Sequence, residues 1–135
     1  MKGFIKVYDN LVPSFLQDKI ESITKGESIP WTYLHNTVYG SNNDSYLPGF
    51  SKYIVDSNKE YIDKQFIWTY FPILYLLSNH LNFSIQQVFC KRLFLQLPTN
   101  ISLTLDPHID DNVPHWVCLY YINDSDGDTV FFNDN

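Results

Sequence analysis

The sequence predicts an α+β fold, with helices first and strands after. Three observations carry that reading. Apolar residues recur at helical spacing in the first 83 residues. β-forming residues crowd the chain from Ser84 onward. The 135 residues, 44% hydrophobic and 17% aromatic, are enough for one core. A chain of this length hides roughly two-thirds of its unfolded surface on folding, so one domain over residues 1–135 needs no disulfide or metal staple. Only 18% of the residues are charged. That excludes a disordered tail, which is poor in apolar residues and rich in charge, and a coiled coil, which is built from Ala, Glu, Lys, Leu and Arg.

Phe4 to Tyr8 reads as a short strand closed by Asp9-Asn10. Pro13 suits the first turn of a helix. Phe15, Leu16, Ile20 and Ile23 then recur at helical spacing until Gly26. Trp31 to Tyr39 alternates as a strand, and Gly40 to Asp44 is a loop of turn formers. Residues 57–64 are polar and open a helix. Phe66 to Leu81 is long and apolar enough to form one, with Pro72 blurring its bounds. Val88 to Leu97 is rich in β-formers. Ile101, Leu103 and Leu105 alternate with Ser102 and Thr104, the pattern of a half-buried strand. Trp116 to Ile122 is continuously apolar, consistent with a strand buried on both faces. Residues 123–127 form a turn, and Thr129 to Phe132 starts a last strand.

Charge is unevenly spread. Residues 1–92 hold all nine basic residues against eight acidic ones, a balance of +1. Residues 93–135 hold seven acidic residues and no Lys or Arg, a balance of −7. No basic nucleic-acid footprint exists, and the acidic third is where a cation would sit, unless Asp simply populates turns there. Cys90 and Cys118 are too few for a disulfide framework and lie in apolar runs, so both read as small buried hydrophobes. The start lacks a signal-peptide core, and Phe66 to Leu77 is too short to span a bilayer. A cytoplasmic protein that binds neither membrane nor nucleic acid is expected. The four Asn-x-Ser sequons, at Asn43, Asn82, Asn100 and Asn123, are taken as chance in a chain with twelve Asn.

The chemistry-bearing segment is Asp106-Pro107-His108-Ile109-Asp110-Asp111. A strand puts residues i and i+2 on one face, so His108 and Asp110 would project together while Ile109 points away. An imidazole and a carboxylate side by side make two adjacent metal ligands. A second His would complete the facial triad of non-haem Fe(II). Alone, His-x-Asp is common, and a surface turn with a hydrogen-bonded His explains it as well.

In its context the motif resembles the Fe(II)/2-oxoglutarate-dependent oxygenases, most closely the prolyl-4-hydroxylase-like members of phages and marine microbes. The likeness rests on His108-Ile-Asp-Asp, His115-Trp-Val-Cys-Leu-Tyr-Tyr-Ile-Asn and Asp126-Gly-Asp-Thr-Val-Phe-Phe. It extends to the opening Phe-Ile-Lys-Val-Tyr-Asp-Asn, the Pro-led helix, Trp31-x-Tyr33 and Lys91-Arg92-Leu93. The resemblance implies a double-stranded β-helix, or jelly-roll, core. Residues 1–83 would be helical support packed on its major sheet, and residues 84–135 its first strands. It implies His108 and Asp110 as iron ligands and catalytic residues, and Gly127 at a turn where a side chain would crowd the backbone. Fe(II), 2-oxoglutarate and O2, with ascorbate allowed, would hydroxylate a C–H bond of a small molecule, protein or peptide. Tyr120 or Tyr121 would line the cosubstrate pocket, because alternate strand residues face inward. A phage-encoded member would work in the host cytoplasm.

The sequence departs from the family in two respects. The family's second His and the Arg or Lys that grips 2-oxoglutarate have no counterpart. His115 matches a non-ligand position, and no motif places Arg92, the only arginine, at the cosubstrate. A fragment, half of a split enzyme completed by another chain, or a non-catalytic descendant would each explain this. Little turnover by the 135 residues alone is expected. Two rivals remain. An EF-hand-like reading of Asp124-Ser-Asp126-Gly-Asp128 puts Ile122 and Asn133 where ligands belong. A non-catalytic jelly-roll interaction module would use exposed sheet edges and aromatic surface. The substrate is not readable, and the region from Trp31 to Asp56 would form either a lid or an ordinary surface loop.

Overall fold

The architecture was analysed in a computed structural model that describes residues 5–37, 47–56, 58, 60–61, 63–98, 108–125 and 127–132. The fold is α+β, with two helices and a three-stranded antiparallel sheet. The helices are α1 (Ser14–Lys25) and α2 (Lys64–Leu81). The strands are β1 (Thr32–Leu34), β2 (Gly49–Val55) and β3 (Lys91–Gln96), in spatial order β1-β2-β3.

Helix α1 follows the periodicity of its sequence. The Pro13 carbonyl accepts the amides of Leu16 and Gln17 at 2.9 and 3.0 Å, which closes the first turn. Ile20 is fully buried, Leu16 and Ile23 pack on the core, and Phe15 falls on the solvent side. Helix α2 starts two residues before the expected Phe66 and ends at the expected Leu81. Pro72 lies inside it and removes the amide that would bond the Trp68 carbonyl. The buried stripe Phe66, Tyr70 and Ile73 holds the helix across that gap. Asn82 ends it in the left-handed region at φ 53°, and the Phe83 amide reaches back to the Ser78 carbonyl at 3.0 Å. This wrap satisfies end carbonyls and suits Asn better than most residues.

Strand β2 is the centre of the sheet. Leu34 faces Gly49 on one side, and Gly49 faces Gln96 on the other. The β2–β3 register shifts between Tyr53 and Val55, so Val55 faces Lys91. A Cβ on Gly49 would lie 2.7 Å from both the Leu95 carbonyl oxygen and Thr37 Cγ2, so only glycine fits this crossing. The core joins Val12, Ile20, Ile29, Ile54, Phe66, Tyr70, Ile73 and Leu93. Each large apolar side chain buried there stabilises by roughly 1.5–3 kcal/mol. Two polar ties accompany it. Tyr70 and Thr24 share a hydroxyl hydrogen bond of 2.8 Å between the helices, and Lys52 meets Asp63 at 2.7 Å between β2 and the start of α2.

Several expectations are corrected. Residues 5–8 form no strand, and Val7 is largely exposed. The strand expected over Trp31 to Tyr39 is confined to Thr32–Leu34 among the described residues. Residues 47–56 carry the central strand, so this stretch is neither lid nor surface loop. Trp116 to Ile122 and Thr129 to Phe132 run without regular strand pairing. In the first run Tyr120 and Ile122 pack on the core, whereas Val117, Leu119 and Tyr121 are exposed. The continuous apolar run is therefore covered on one side. Cys118 in that run and Cys90 just before β3 are likewise exposed residues rather than fully buried ones, although surrounding atoms still shield both thiols in part. The expected strand at Ile101 to Leu105, the loop at Gly40 to Asp44 and residue Asp126 lie outside the described residues. The sheet itself crosses the expected boundary at Phe83, because β2 pairs with β3.

Candidate metal centre

His108 and Asp110 lie on an irregular stretch that bends at Asp110. The chain nevertheless brings their side chains together. His108 Nε2 is 3.8 Å from Asp110 Oδ1, and both side chains are more than half exposed, at 66% and 53%. Ile109 between them is also exposed. The next residues tie their own backbone. Asp111 Oδ1 accepts the Val113 amide at 3.3 Å, and the His115 ring nitrogen Nδ1 lies 2.6 Å from the Val113 carbonyl oxygen.

The donor set fits a divalent metal in type. A neutral imidazole and a carboxylate are ligands that iron, manganese and zinc accept. Two ligand atoms about 2.1 Å from a metal and at right angles to it sit about 3.0 Å apart. Closing 3.8 Å to that separation takes a small side-chain rotation. Among the described residues, no group of three His, Cys, Asp or Glu side chains forms around the pair.

Strand β3 lies near this site. The Cys90 thiol at its start is pushed up by burial, pulled down by Arg92 and pushed up again by Asp110 and Asp56. One face of β3 thus shares an electrostatic neighbourhood with Asp110. Arg92 itself stands 5.4 Å over the Phe94 ring.

The two tyrosines expected at a cosubstrate pocket diverge. Tyr120 packs inward, and its hydroxyl is pushed up by burial and by Glu21 of α1. Tyr121 faces outward and hydrogen-bonds the Thr129 hydroxyl. Neither contact involves His108 or Asp110. A shallow open depression beside α1 is lined by Glu21, Lys25, Ile122, Asn123 and Asp124, again without the pair. Gly127 corrects another expectation. Among the described residues a Cβ there would meet only Ser125 Oγ at 3.5 Å, an ordinary contact, so none of them demands glycine.

The sequence reading placed Lys91 in a basic strand and gave it no role. This residue opens β3, donates from Nζ to the Tyr70 carbonyl oxygen at 2.7 Å and lies 4.6 Å from the Phe71 ring centre. A lysine at the start of an apolar strand carries no signal of which face it will take. No family model, curated protein or solved structure matches the chain. No described helix is long and apolar enough to cross a membrane.

Proposed function

We propose that this chain is a metal-dependent oxygenase domain of the Fe(II)/2-oxoglutarate type, in which His108 and Asp110 supply two ligands of the metal. The observation that carries the reading is the approach of His108 Nε2 to Asp110 Oδ1 at 3.8 Å, on an accessible stretch of chain. The order of His108-x-Asp110, the Trp116 to Ile122 run and Gly127-x-Thr129-x-Phe131 supports it. Under this reading the apolar stretches 116–122 and 129–132 belong to a jelly-roll core. When bound, the metal with 2-oxoglutarate and O2 supplies hydroxylation of an unactivated C–H bond. Asp110 would offer negative charge to the cation and His108 a ring nitrogen. A third ligand and the group that holds the 2-oxoglutarate carboxylate have no assigned residue, and a complementing chain is one source for both.

An interaction module is the second reading. One observation favours it: Val117, Leu119, Tyr121, Val130, Phe131 and Phe132 are all more than half exposed. Apolar surface on this scale marks contact with another protein layer.

Paramagnetic broadening separates the two. Substoichiometric Mn(II) added to isotope-labelled chain should erase the His108 and Asp110 resonances before those of His35 and His80. Uniform broadening across all four histidines would remove the metal reading and leave the interaction module.

A further inference from the structure

Residues 117–122 present two faces. Tyr120 and Ile122 pack on the core, and the Cys118 thiol is partly shielded. The alternate residues Val117, Leu119 and Tyr121 stand outward, each more than half exposed. That two-residue alternation is the one a strand makes. The Tyr121 hydroxyl bonds the Thr129 hydroxyl, which ties on Val130, Phe131 and Phe132, exposed to the same degree. Among the described residues no backbone hydrogen bond joins 117–122 or 129–132 to another segment. These six side chains offer roughly 600 Å² to solvent, the top of the range for the largest apolar patch of a monomer. A partner in a standard complex buries roughly 800 Å², so polar surface at the rim has to contribute.

The rim has one sign of charge. Asp111, Asp124 and Asp128 flank these segments, all three are exposed, and among the described residues none meets a cation. Lys25, which lines one depression with Asp124, is already engaged by Glu21. Residues 93–135 contain no Lys or Arg. A second copy of this chain is therefore a poor occupant, since a two-fold dimer would set this acidic rim against itself. Resting on the interaction reading above, we propose that the face formed by residues 117–121 and 130–132 docks a basic apolar segment of another protein. The apolar side chains of that segment cover Val117, Leu119 and Phe131, and its flanking Lys or Arg residues meet Asp124 and Asp128.

The test uses two labelled peptides with one apolar centre, Val-Thr-Phe-Thr-Val, flanked by paired Lys in one and paired Glu in the other. Fluorescence anisotropy follows their binding to the full chain, and sedimentation follows its oligomeric state. At low salt the Lys peptide should bind saturably and at least about tenfold more tightly than the Glu peptide, and high salt should close that gap. The double variant Val117→Ser/Leu119→Ser should lose the Lys peptide and keep the far-ultraviolet circular dichroism of the parent, since neither side chain enters the core. Asp124→Asn/Asp128→Asn should erase the preference between the peptides and leave their apolar contact. Equal binding of both peptides by the parent would overturn the proposal. So would a parent that sediments as a dimer through this face, with Val117→Ser/Leu119→Ser monomeric, although the interaction reading would then stand. A monomeric parent that binds neither peptide would remove both.

Discussion

At the scale of single residues, the fold places charge where the surroundings do not match it. Lys91 is the clearest case, held by a carbonyl and a ring, with no carboxylate partner among the described residues. Its pKa of about 8 in the folded chain lies below the ordinary 10.5, so the unfolded chain binds the proton more firmly. The lysine therefore costs stability at neutral pH, and that cost disappears as pH rises from about 8 to about 10.5. Lys91→Met should raise stability at pH 7 by about 1–2 kcal/mol in urea unfolding, and its advantage over the parent should shrink across that pH window. Taking the difference between the two proteins matters, because Cys118 and Tyr70, both pushed up by burial, act with the opposite sign as pH rises. Tyr70→Phe removes the hydroxyl shared with Thr24 and should cost about 0.5–1.5 kcal/mol in the same measurement. None of this was legible in the sequence, where Lys91 is one basic residue before an apolar run. The His108–Asp110 adjacency was legible from their spacing. The chain achieves it through a bend, outside any strand.

Elements were legible in proportion to how regularly they repeat. Helix α1 declares itself because Leu16, Ile20 and Ile23 recur every three or four residues, and α2 because Phe66 to Leu81 is long and apolar; the two meet in one core. Strand β3 lies inside the expected β-rich run from Val88 to Leu97. Strand β2 was not legible. Its buried positions include Gly49 and Ser51, which carry no apolar signal, and its register shift breaks the two-residue alternation before Val55. Yet β2 is the strand both others pair with. Gly49→Ala should therefore be among the costlier small substitutions, lowering stability by about 1–3 kcal/mol through its contacts with Leu95 and Thr37. Thermal unfolding followed by circular dichroism reads this directly. Asn82→Ala at the left-handed end of α2 should cost about 1 kcal/mol, whereas Asn82→Gly should be neutral or better.

The whole molecule divides into a well-packed part and an open part. Residues 12–96 contain both helices, all three strands and the eight-residue core. Residues 108–132 add Tyr120 and Ile122 to that core and turn the rest of their apolar side chains outward. The same region holds most of the acidic excess and the His108–Asp110 pair. A continuous apolar run announces burial on two sides, and the described fold supplies one. This accounts for why the sequence overstated the burial of Val117, Leu119 and Tyr121. Whether a second layer forms on that side separates the oxygenase and interaction readings structurally, and the metal separates them chemically.

The central claim is that His108 and Asp110 form a metal-binding pair. It is tested most directly by titrating Mn(II) into the full chain under anaerobic conditions, with free metal followed by electron paramagnetic resonance. The parent should bind Mn(II) saturably. His108→Ala and Asp110→Ala should each weaken binding at least about tenfold, since removing even an outer partner of a metal ligand costs that much. His115→Ala, whose ring already engages the Val113 carbonyl, should leave it unchanged. Binding of equal strength in the parent, His108→Ala and Asp110→Ala would contradict the account, as would a parent chain that binds no Mn(II).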